Sequence, residues 1–199
     1  PFPLKEVQEQ IRAALGKEPS ALFASIDPEP LAAASIAQVH RATTLEGEQV
    51  VVKVQRPDIS DQIRADLGML HALARLLEAV IEETGIYRPT GIVEEFERTI
   101  FQELDFVNEA TNVKAFFDNH RERLYIRIPR VYQHLSSRTV LTLEFLQGVK
   151  VSQADLAKHD QAKLAHNIIE SSFRQLFVDG LFHGDPHPGN ILVLPGDVI

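Results

Sequence analysis

The sequence predicts an α+β protein of two lobes, in which a sheet with an inserted helical pair comes first and a more helical lobe follows. Two strand-like runs precede residue 60, at 35–43 and 49–55. Two long segments with helical apolar periodicity follow, at about 60–84 and 90–118. Near the end, a further helical segment leads into a polar loop that contains two prolines. This order of elements favours two lobes with different secondary structure.

The composition allows a folded core and limits the partners. The chain has 199 residues, of which 44% are hydrophobic and 24% charged, enough for one large domain or two small lobes that share a cleft. Its formal net charge of −8 argues against a nucleic-acid partner, because such partners bind basic surfaces. A nucleotide remains compatible, since one lysine and a metal ion can carry its phosphates. The absence of cysteine excludes disulfides and thiolate metal sites.

Both ends of the sequence suggest that it is a piece of a longer chain. The sequence begins at Pro1 without an initiator methionine and stops at Ile199, where the pattern of a new strand begins. It contains no secretory signal and no apolar run of about 18 residues that could span a bilayer. We therefore expect a fold that is incomplete at both ends, with any membrane anchor outside this sequence.

The first lobe begins with a helix and a pair of strands. Apolar residues share one face of a predicted helix at 4–24, and Pro28 and Pro30 prevent its continuation. The two strands meet at a turn around Gly47. The second strand is rich in valine and reads as a buried strand.

The remaining elements are predicted to be two strands at about 125–133 and 138–146, a helix at about 160–179 and a short strand at 191–194. The second of these strands ends at Gln147 and Gly148, where we place a hinge. The predicted N-terminal lobe therefore spans 1–146, and the start of the C-terminal lobe spans 147–199.

The loop at 183–190 carries the strongest chemical signal. Asp185 and Asn190 stand five residues apart in a segment stiffened by two prolines. Phosphoryl transfer needs a carboxylate that orients or deprotonates the attacking oxygen and a neutral oxygen ligand for Mg²⁺, and a kinase catalytic loop supplies both at this spacing. Two other interpretations stay open: a proline-rich turn with an Asx cap, and a metal site built from His183, Asp185 and His187.

Lys53 lies in the valine-rich strand, where an unpaired ammonium would be costly. We therefore expect a carboxylate partner, which in a kinase is a helix glutamate, while the ammonium also contacts the α- and β-phosphates of ATP. The segment 90–118 offers Glu103 and Glu109, which are six residues apart and so lie on different faces of a helix. The alternative is a lysine that snorkels from an edge strand.

An alanine-rich segment precedes the two strands. On the kinase pattern G-x-G-x-x-G-x-V, the three glycine positions fall on Ala32, Ala34 and Ala37, and the valine falls on Val39. Alanine disfavours left-handed backbone, so we expect helical or extended geometry there and a restraint on phosphoryl transfer. By itself such a segment would be read as a helix, and only its position ahead of Lys53 gives it this meaning.

Taken together, these motifs closely resemble the UbiB/AarF family of atypical protein-kinase-like proteins, the bacterial relatives of the mitochondrial and plastid ADCK-type proteins. The resemblance implies a two-lobed protein-kinase-like fold that binds ATP and Mg²⁺. It runs from about residue 19 to the last residue and rests on four motifs in order: Ala32-Ala33-Ala34-Ser35, Lys53-Val54-Gln55-Arg56-Pro57, Glu103-Leu104-Asp105 with Asn108-Glu109-Ala110, and His183-Gly184-Asp185-Pro186-His187-Pro188-Gly189-Asn190.

The resemblance also implies a role for each matched residue. Asp185 would be the catalytic-loop aspartate, Lys53 the phosphate-binding lysine with Glu109 as its partner, and Asn190 a Mg²⁺ ligand. The other implied positions are the phosphate-covering loop Ala32, Ala33, Ala34 and Ser35, the hinge residues Glu144 and Leu146 that read adenine, and the family-specific ExD pair Glu103 and Asp105.

The implied function is that of an atypical kinase or ATPase that supports the biosynthesis of ubiquinone or another prenyl-quinone, or lipid metabolism. The implied partners are a nucleotide and, through segments outside this sequence, membrane lipid or quinone-biosynthesis proteins. The implied location is cytoplasmic or peripheral to the inner membrane. The family's upstream KxGQ segment and the metal-binding aspartate of its DFG motif are not in the sequence. We therefore expect weak nucleotide binding and little activity from this chain alone.

Two other functions stay open at this point. A small-molecule kinase of the aminoglycoside or choline type shares the His-Gly-Asp…His-Pro-Gly-Asn pattern, but lacks the alanine-rich loop and the ExD pair. A non-catalytic pseudokinase scaffold is the other, and the joint presence of Lys53, Asp185 and Asn190 argues against it.

Overall fold

A computed structural model of the protein describes residues 1–80 and 88–199. The chain forms two compact units, the first made of Pro1–Ala110 and Tyr132–Thr142 and the second of Thr111–Val131 and Leu143–Ile199. The predicted N-terminal lobe, residues 1–146, includes residues 111–131, which belong to the second of these units. The predicted boundary between the two functional lobes stays a prediction.

The first unit is built on a sheet whose strand order is β1-β3-β4-β5, with β2 also paired to β3. The strands are β1 (Phe23–Ile26), β2 (Ala32–Ala33), β3 (Ala37–Thr44), β4 (Gln49–Gln55) and β5 (Val140–Glu144). Strands β3 and β4 form an antiparallel hairpin that pairs Val39 with Lys53, close to the bounds that the sequence predicts. Gly47 closes the turn between them in a backbone conformation (φ 86°) that favours glycine.

Helix α1 (Leu4–Leu15) packs against this sheet and ends earlier than predicted. The prediction of a helix to residue 24 was wrong, because Gly16 adopts left-handed backbone (φ 69°) and Pro19 begins a short 3₁₀ turn. The helix buries Val7 and Ile11 in the core of the unit. Side chains from β1, β3, β4 and β5 complete that core: Phe23, Ala42, Val50, Val52, Val54 and Val140.

Three helices follow β4, namely α2 (Ile59–Val80), α3 (Pro89–Leu104) and α4 (Phe106–His120). The predicted helix at 60–84 corresponds to α2, and its predicted residues 81–84 lie outside the described residues. The single helix predicted at 90–118 was wrong, because the backbone at Asp105 is extended (φ −94°, ψ 96°) and separates α3 from α4. Oδ1 of Asp105 accepts a hydrogen bond of 3.1 Å from the N–H of Val107, which caps the start of α4.

The second unit contains helix α5 (Gln161–Arg174), which continues into a π turn at Gln175–Asp179, so the helix predicted at 160–179 is observed with a wider last turn. It also contains the antiparallel pair β6 (Val149–Lys150) and β7 (Leu192–Val193). The strand predicted at 125–133 was wrong, since only an isolated bridge from Val131 to Leu143 forms there. Among the described residues, every helix is too short or too polar to cross a lipid bilayer.

A turn near the end of the chain is fastened to the start of α5. The carboxylate of Asp197 accepts a hydrogen bond of 2.7 Å from Nδ1 of His159, and this bond lowers the pKa of Asp197 below its usual value. Asn167 donates to the carbonyl oxygen of Asp197 over 2.9 Å. These bonds hold the turn whose Asp197 backbone lies in the left-handed region (φ 58°).

Gly148, which precedes β6, lies against β7. A Cβ atom on Gly148 would lie 2.6 Å from Cδ2 of Leu194 and 2.9 Å from the carbonyl oxygen of Val193. Both distances are shorter than van der Waals contact, so the close pairing of the two strands requires glycine at this position.

Candidate functional site

Lys53 is held on β4 by the alternation of the strand. Its neighbours Val52 and Val54 are fully buried on the core face, so the lysine side chain emerges on the opposite face with 27% of its surface exposed. Its Nζ lies 2.6 Å from Oε2 of Glu109, in the first turn of α4. The ion pair predicted between Lys53 and Glu109 is therefore present, while its part in phosphate binding stays a prediction.

Phe106 forms a second contact of the Lys53 ammonium. Nζ lies 4.7 Å from the centre of the Phe106 ring, which is itself fully buried. Cations are attracted to the negative face of an aromatic ring at this distance. Phe106 was not among the residues predicted from the sequence, although its spacing of three residues from Glu109 places both on one face of a helix.

The two residues of the ExD pair have different surroundings. Glu103 lies exposed in the last turn of α3, and the partner of Lys53 is Glu109 instead. Asp105 caps α4, and its Oδ2 also lies 3.1 Å from Nη2 of Arg138. Asp105 thus helps to place the helix turn that carries Glu109, and the family role of the pair stays a prediction.

The alanine-rich segment is extended and exposed. Ala32 pairs with Val39 and Ala33 with Gln38 through β2, so of the helical and extended geometries expected for alanine, the extended one is observed. The N–H of Ala34 donates to the carbonyl oxygen of Ala37 over 2.8 Å, which closes a tight turn around Ser35. Whether Ala32, Ala33, Ala34 and Ser35 cover a phosphate stays a prediction.

Arg56 fastens this turn from the end of β4. Its Nε and Nη2 both donate to the carbonyl oxygen of Ala34, over 3.1 Å and 2.9 Å, and its backbone N–H donates to the carbonyl of Ile36 over 2.9 Å. Arg56 was not among the site residues predicted from the sequence. The sequence feature that could have indicated a role is its place in the motif Lys53-Val54-Gln55-Arg56-Pro57, directly after the strand.

In the second unit, Asp185 and Asn190 are in direct contact. Nδ2 of Asn190 donates to Oδ2 of Asp185 over 2.9 Å and to its carbonyl oxygen over 3.3 Å. Both residues are exposed. The loop therefore brings together the two side chains that the catalytic-loop hypothesis requires.

The alternative of a metal site made by His183, Asp185 and His187 is not supported. Nδ1 of His183 accepts the N–H of Asp185 over 3.1 Å, and Nδ1 of His187 accepts the N–H of Gly189 over 3.0 Å. Each ring is thus turned toward the backbone two residues ahead. In the part of the chain that the structure describes, no cluster of three His, Cys, Asp or Glu residues could hold a metal ion.

The predicted hinge residues lie at the end of β5. The Glu144 carboxylate pairs with the guanidinium of Arg127 and accepts the N–H of Arg130 over 3.2 Å. Its side chain is therefore engaged in holding its own unit together. Leu146 is half-buried two residues later. Contact of Glu144 and Leu146 with adenine stays a prediction. Because the Glu144 carboxylate is already paired, the backbone N–H and C=O groups would make this contact.

The side chains that are present fit ATP and Mg²⁺. An ammonium has three N–H donors, and Glu109 takes one from Lys53, which leaves donors for phosphate oxygens. Carboxylate and amide oxygens are the ligands that Mg²⁺ prefers. Because Asn190 donates through its amide nitrogen to Asp185, its amide oxygen is turned away and available as such a ligand.

The comparisons with known proteins agree with these motifs. Residues 1–198 match the ABC1 atypical kinase-like domain. Curated relatives named "Probable protein kinase UbiB" are 39% identical in Pseudomonas paraeruginosa over 97% of this chain and 37% of the relative, and 38% identical in Marinobacter nauticus over 97% and 36%. The chain thus spans little more than a third of the length of these relatives.

A solved structure gives the same result for the fold. The Rv3197–erythromycin complex from Mycobacterium tuberculosis matches with a TM-score of 0.82 and 29% identity, over 100% of this chain and 50% of that one. The α+β kinase-like fold predicted from the motifs is therefore confirmed. With a family match over nearly its whole length, this chain belongs to the ABC1 atypical kinase-like family.

Proposed function

We propose that this protein binds ATP with Mg²⁺ and acts as a UbiB-type atypical kinase or ATPase that supports ubiquinone or other prenyl-quinone biosynthesis, or lipid metabolism. The observation that carries the proposal is the 2.6 Å pair between Lys53 and Glu109. A half-exposed strand lysine oriented by a helix carboxylate is the arrangement with which kinase-like proteins hold nucleotide phosphates. The names of the UbiB relatives supply the quinone part of the proposal.

Lys53 holds and orients the phosphates in this proposal. Glu109 and the ring of Phe106 limit the positions of its ammonium, so little side-chain entropy is lost when a phosphate binds. When bound, Mg²⁺ neutralises phosphate charge and ATP supplies the γ-phosphoryl group. Asn190 would be the ligand of the ion on this chain.

Asp185 orients the attacking group and accepts its proton. Asn190 occupies Oδ2 of Asp185, and among the described residues no donor contacts Oδ1. Oδ1 is therefore the atom that would take the proton from the attacking hydroxyl or water, whose oxygen would bond to the γ-phosphorus as the bond from that phosphorus to the ADP oxygen breaks and ADP leaves. An asparagine at position 185 would keep the contact to Asn190 but could not take this proton.

Calorimetric titration of Mg-ATP into this chain extended by the KxGQ and DFG segments tests the nucleotide part. Lys53→Met should raise the Kd for Mg-ATP at least about tenfold, since a charged contact to phosphate is lost. Lys114→Met is the matched control, because Lys114 also forms a 2.6 Å ion pair but lies exposed on α4, paired with Asp118. Equal Kd values for wild type and Lys53→Met would overturn the proposal.

The quinone part has its own test. Bacterial cells depleted of their own UbiB and supplied with this chain extended by the KxGQ and DFG segments should regain ubiquinone, measured by chromatography of lipid extracts. The Asp185→Asn variant at the same expression level should fail to restore it. Restoration by Asp185→Asn would place the function outside phosphoryl transfer, and failure of the wild type would remove the quinone role.

A further inference from the structure

A chain of hydrogen bonds runs from a buried helix position to the candidate catalytic residues. Gln175, at the start of the π turn, donates through Nε2 to Oγ of Ser171 over 2.9 Å, and its Oε1 accepts the N–H of His183 over 3.0 Å. Nδ1 of His183 then accepts the N–H of Asp185 over 3.1 Å. Asp185 in turn accepts from Asn190 over 2.9 Å.

The donor and acceptor of each hydrogen bond in this series follow from the groups involved. A backbone N–H can only donate, so the atom of Gln175 that faces His183 is its oxygen, and its NH₂ group points to Ser171. Likewise Nδ1 of His183 must be unprotonated to accept the N–H of Asp185, which puts the ring proton on Nε2. The arrangement therefore has one consistent pattern of donors and acceptors.

Packing cannot hold the loop that these bonds reach. His183, Asp185 and Asn190 are all exposed, whereas Ser171 has only 4% of its surface exposed. Gln175 is thus the side chain that ties an exposed loop to a buried point of α5. A rigid support of this kind is what a catalytic carboxylate needs, because small displacements of it slow a reaction strongly.

The π turn supports this role of Gln175. π turns are rare and occur frequently at functional sites. At the other end of the turn, Oδ2 of Asp179 lies 3.8 Å from Nε2 of His120 on α4, with both side chains nearly buried. That distance is too long for a hydrogen bond, so the side-chain hydrogen bonds that connect this turn to the loop are those of Gln175.

We propose that Gln175 is a positioning residue for Asp185, which it places by holding the His183 backbone to the buried Ser171. This inference rests on the proposed function, in which Asp185 accepts a proton. Gln175 acts through His183 and touches neither the nucleotide nor the metal. Its loss should lower the rate of turnover and leave nucleotide affinity nearly unchanged.

Amide hydrogen exchange tests the structural half without any ligand. In Gln175→Leu, which keeps the size of the side chain but loses its oxygen, the N–H groups of His183 and Asp185 should exchange about three- to tenfold faster than in wild type. Gln175→Glu keeps an acceptor for His183 and can accept from the Ser171 hydroxyl, so it should exchange like wild type. Unchanged exchange in Gln175→Leu, or equal acceleration in both variants, would overturn the proposal.

Adjacent serines on α5 provide a matched pair of variants. Ser171→Ala removes the buried end of the chain of bonds and should accelerate exchange at His183, although less than Gln175→Leu does. Ser172→Ala removes a hydroxyl that donates to the Ile168 carbonyl of its own helix over 2.8 Å, and it should change nothing in the loop. If the two serine variants have the same effect, Ser171 is not the anchor. This pair also decides the question if Gln175→Leu fails to fold.

Steady-state hydrolysis of Mg-ATP tests the catalytic half. Gln175→Leu should lower kcat about tenfold and change KM for ATP less than about twofold, and Gln175→Glu should restore kcat. An increase in KM without loss of kcat would contradict a positioning role. The hydrolysis assay uses this chain extended by the KxGQ and DFG segments, because little activity is expected from the chain alone. If that extended protein hydrolyses no ATP, the proposed function fails, while the exchange measurement still decides whether Gln175 holds the loop.

Discussion

The ammonium of Lys53 lies 2.6 Å from the Glu109 carboxylate and 4.7 Å from the centre of the Phe106 ring, although 56 residues separate Lys53 from Glu109 along the chain. Both contacts come from the first turn of α4. The cap at Asp105 determines where that turn begins. The position of the lysine ammonium therefore depends on the break between α3 and α4.

Glu109→Gln should weaken Mg-ATP binding by several-fold. The amide keeps the size of the side chain but loses the charge that attracts the Lys53 ammonium, so the ammonium becomes more mobile. Titration calorimetry measures the Kd. Glu94→Gln, on the exposed surface of α3, is the control and should bind like wild type. An unchanged Kd in Glu109→Gln would show that Lys53 needs no carboxylate partner.

Arg56→Lys should loosen the turn at 34–37. A guanidinium places two N–H groups on the Ala34 carbonyl at once, and an ammonium on a flexible stem cannot reproduce this geometry. We expect faster amide exchange at Ala34 and Ala37 than in wild type. The control is Arg98→Lys, because Arg98 forms an exposed ion pair on α3. Equal exchange rates at the turn in both variants would mean that the turn holds itself.

In a protein with both ends restored, Ala33→Gly or Ala34→Gly should change nucleotide affinity and shift activity toward autophosphorylation. Glycine enters left-handed backbone without the roughly 1 kcal/mol or more that alanine loses there, so the segment can leave its extended pairing with β3. Calorimetry and radiolabelled ATP measure the two effects. The double variant with Asp185→Asn should lose any gain in phosphorylation. If both glycine variants match wild type in affinity and phosphorylation, alanine there is a neutral substitution.

The bond between His159 and Asp197 should make stability depend on pH on the acid side. The pKa of Asp197 is lower in the folded protein than its usual value of about 3.9, so its contribution is fully present above that value. The contribution is lost as the pH falls through the lowered folded pKa. Asp197→Asn should therefore reduce the free energy of unfolding at pH 7, and its difference from wild type should shrink toward pH ~2.

Urea unfolding at several pH values measures this difference. Asparagine suits the left-handed backbone at position 197, so the variant tests the charge and not the turn. Asp66→Asn, on the exposed middle of α2, is the control and should follow the wild-type curve. A difference between Asp197→Asn and wild type that stays constant down to the most acidic pH would show that the ionised carboxylate is not what stabilises the fold.

The sequence predicts the central strand pair well and the boundaries of several other elements poorly. The valine-rich run at 49–55 and the turn at Gly47 place β3 and β4 close to their observed bounds, because β-branched residues favour a buried strand and glycine favours the turn between the two strands. The break at Asp105 was not predicted, since apolar periodicity continues through 90–118 and a polar cap does not interrupt it. Segment 125–133 has the composition of a strand but forms a single bridge.

The residues of the candidate site were likewise predicted in part. The family motifs led to Lys53, Glu109, Asp185 and Asn190, and the structure brings each pair into contact. Phe106, Arg56 and Gln175 were missed because their roles depend on contacts between separate elements. Nothing in the spacing of Gln175 and His183 indicates that the helix widens into a π turn between them.

Gly148 affects how mutational data on the neighbouring hinge should be interpreted. Its Cβ position is occupied by Leu194 and by the Val193 carbonyl, so every other amino acid meets the same obstacle whatever its chemistry. In an alanine scan from Glu144 to Lys150, Gly148→Ala would then lower activity by disturbing the packing of β6 against β7. Such a scan would make Gly148 look like a ligand-binding residue, unless thermal stability is measured alongside activity to reveal the packing defect.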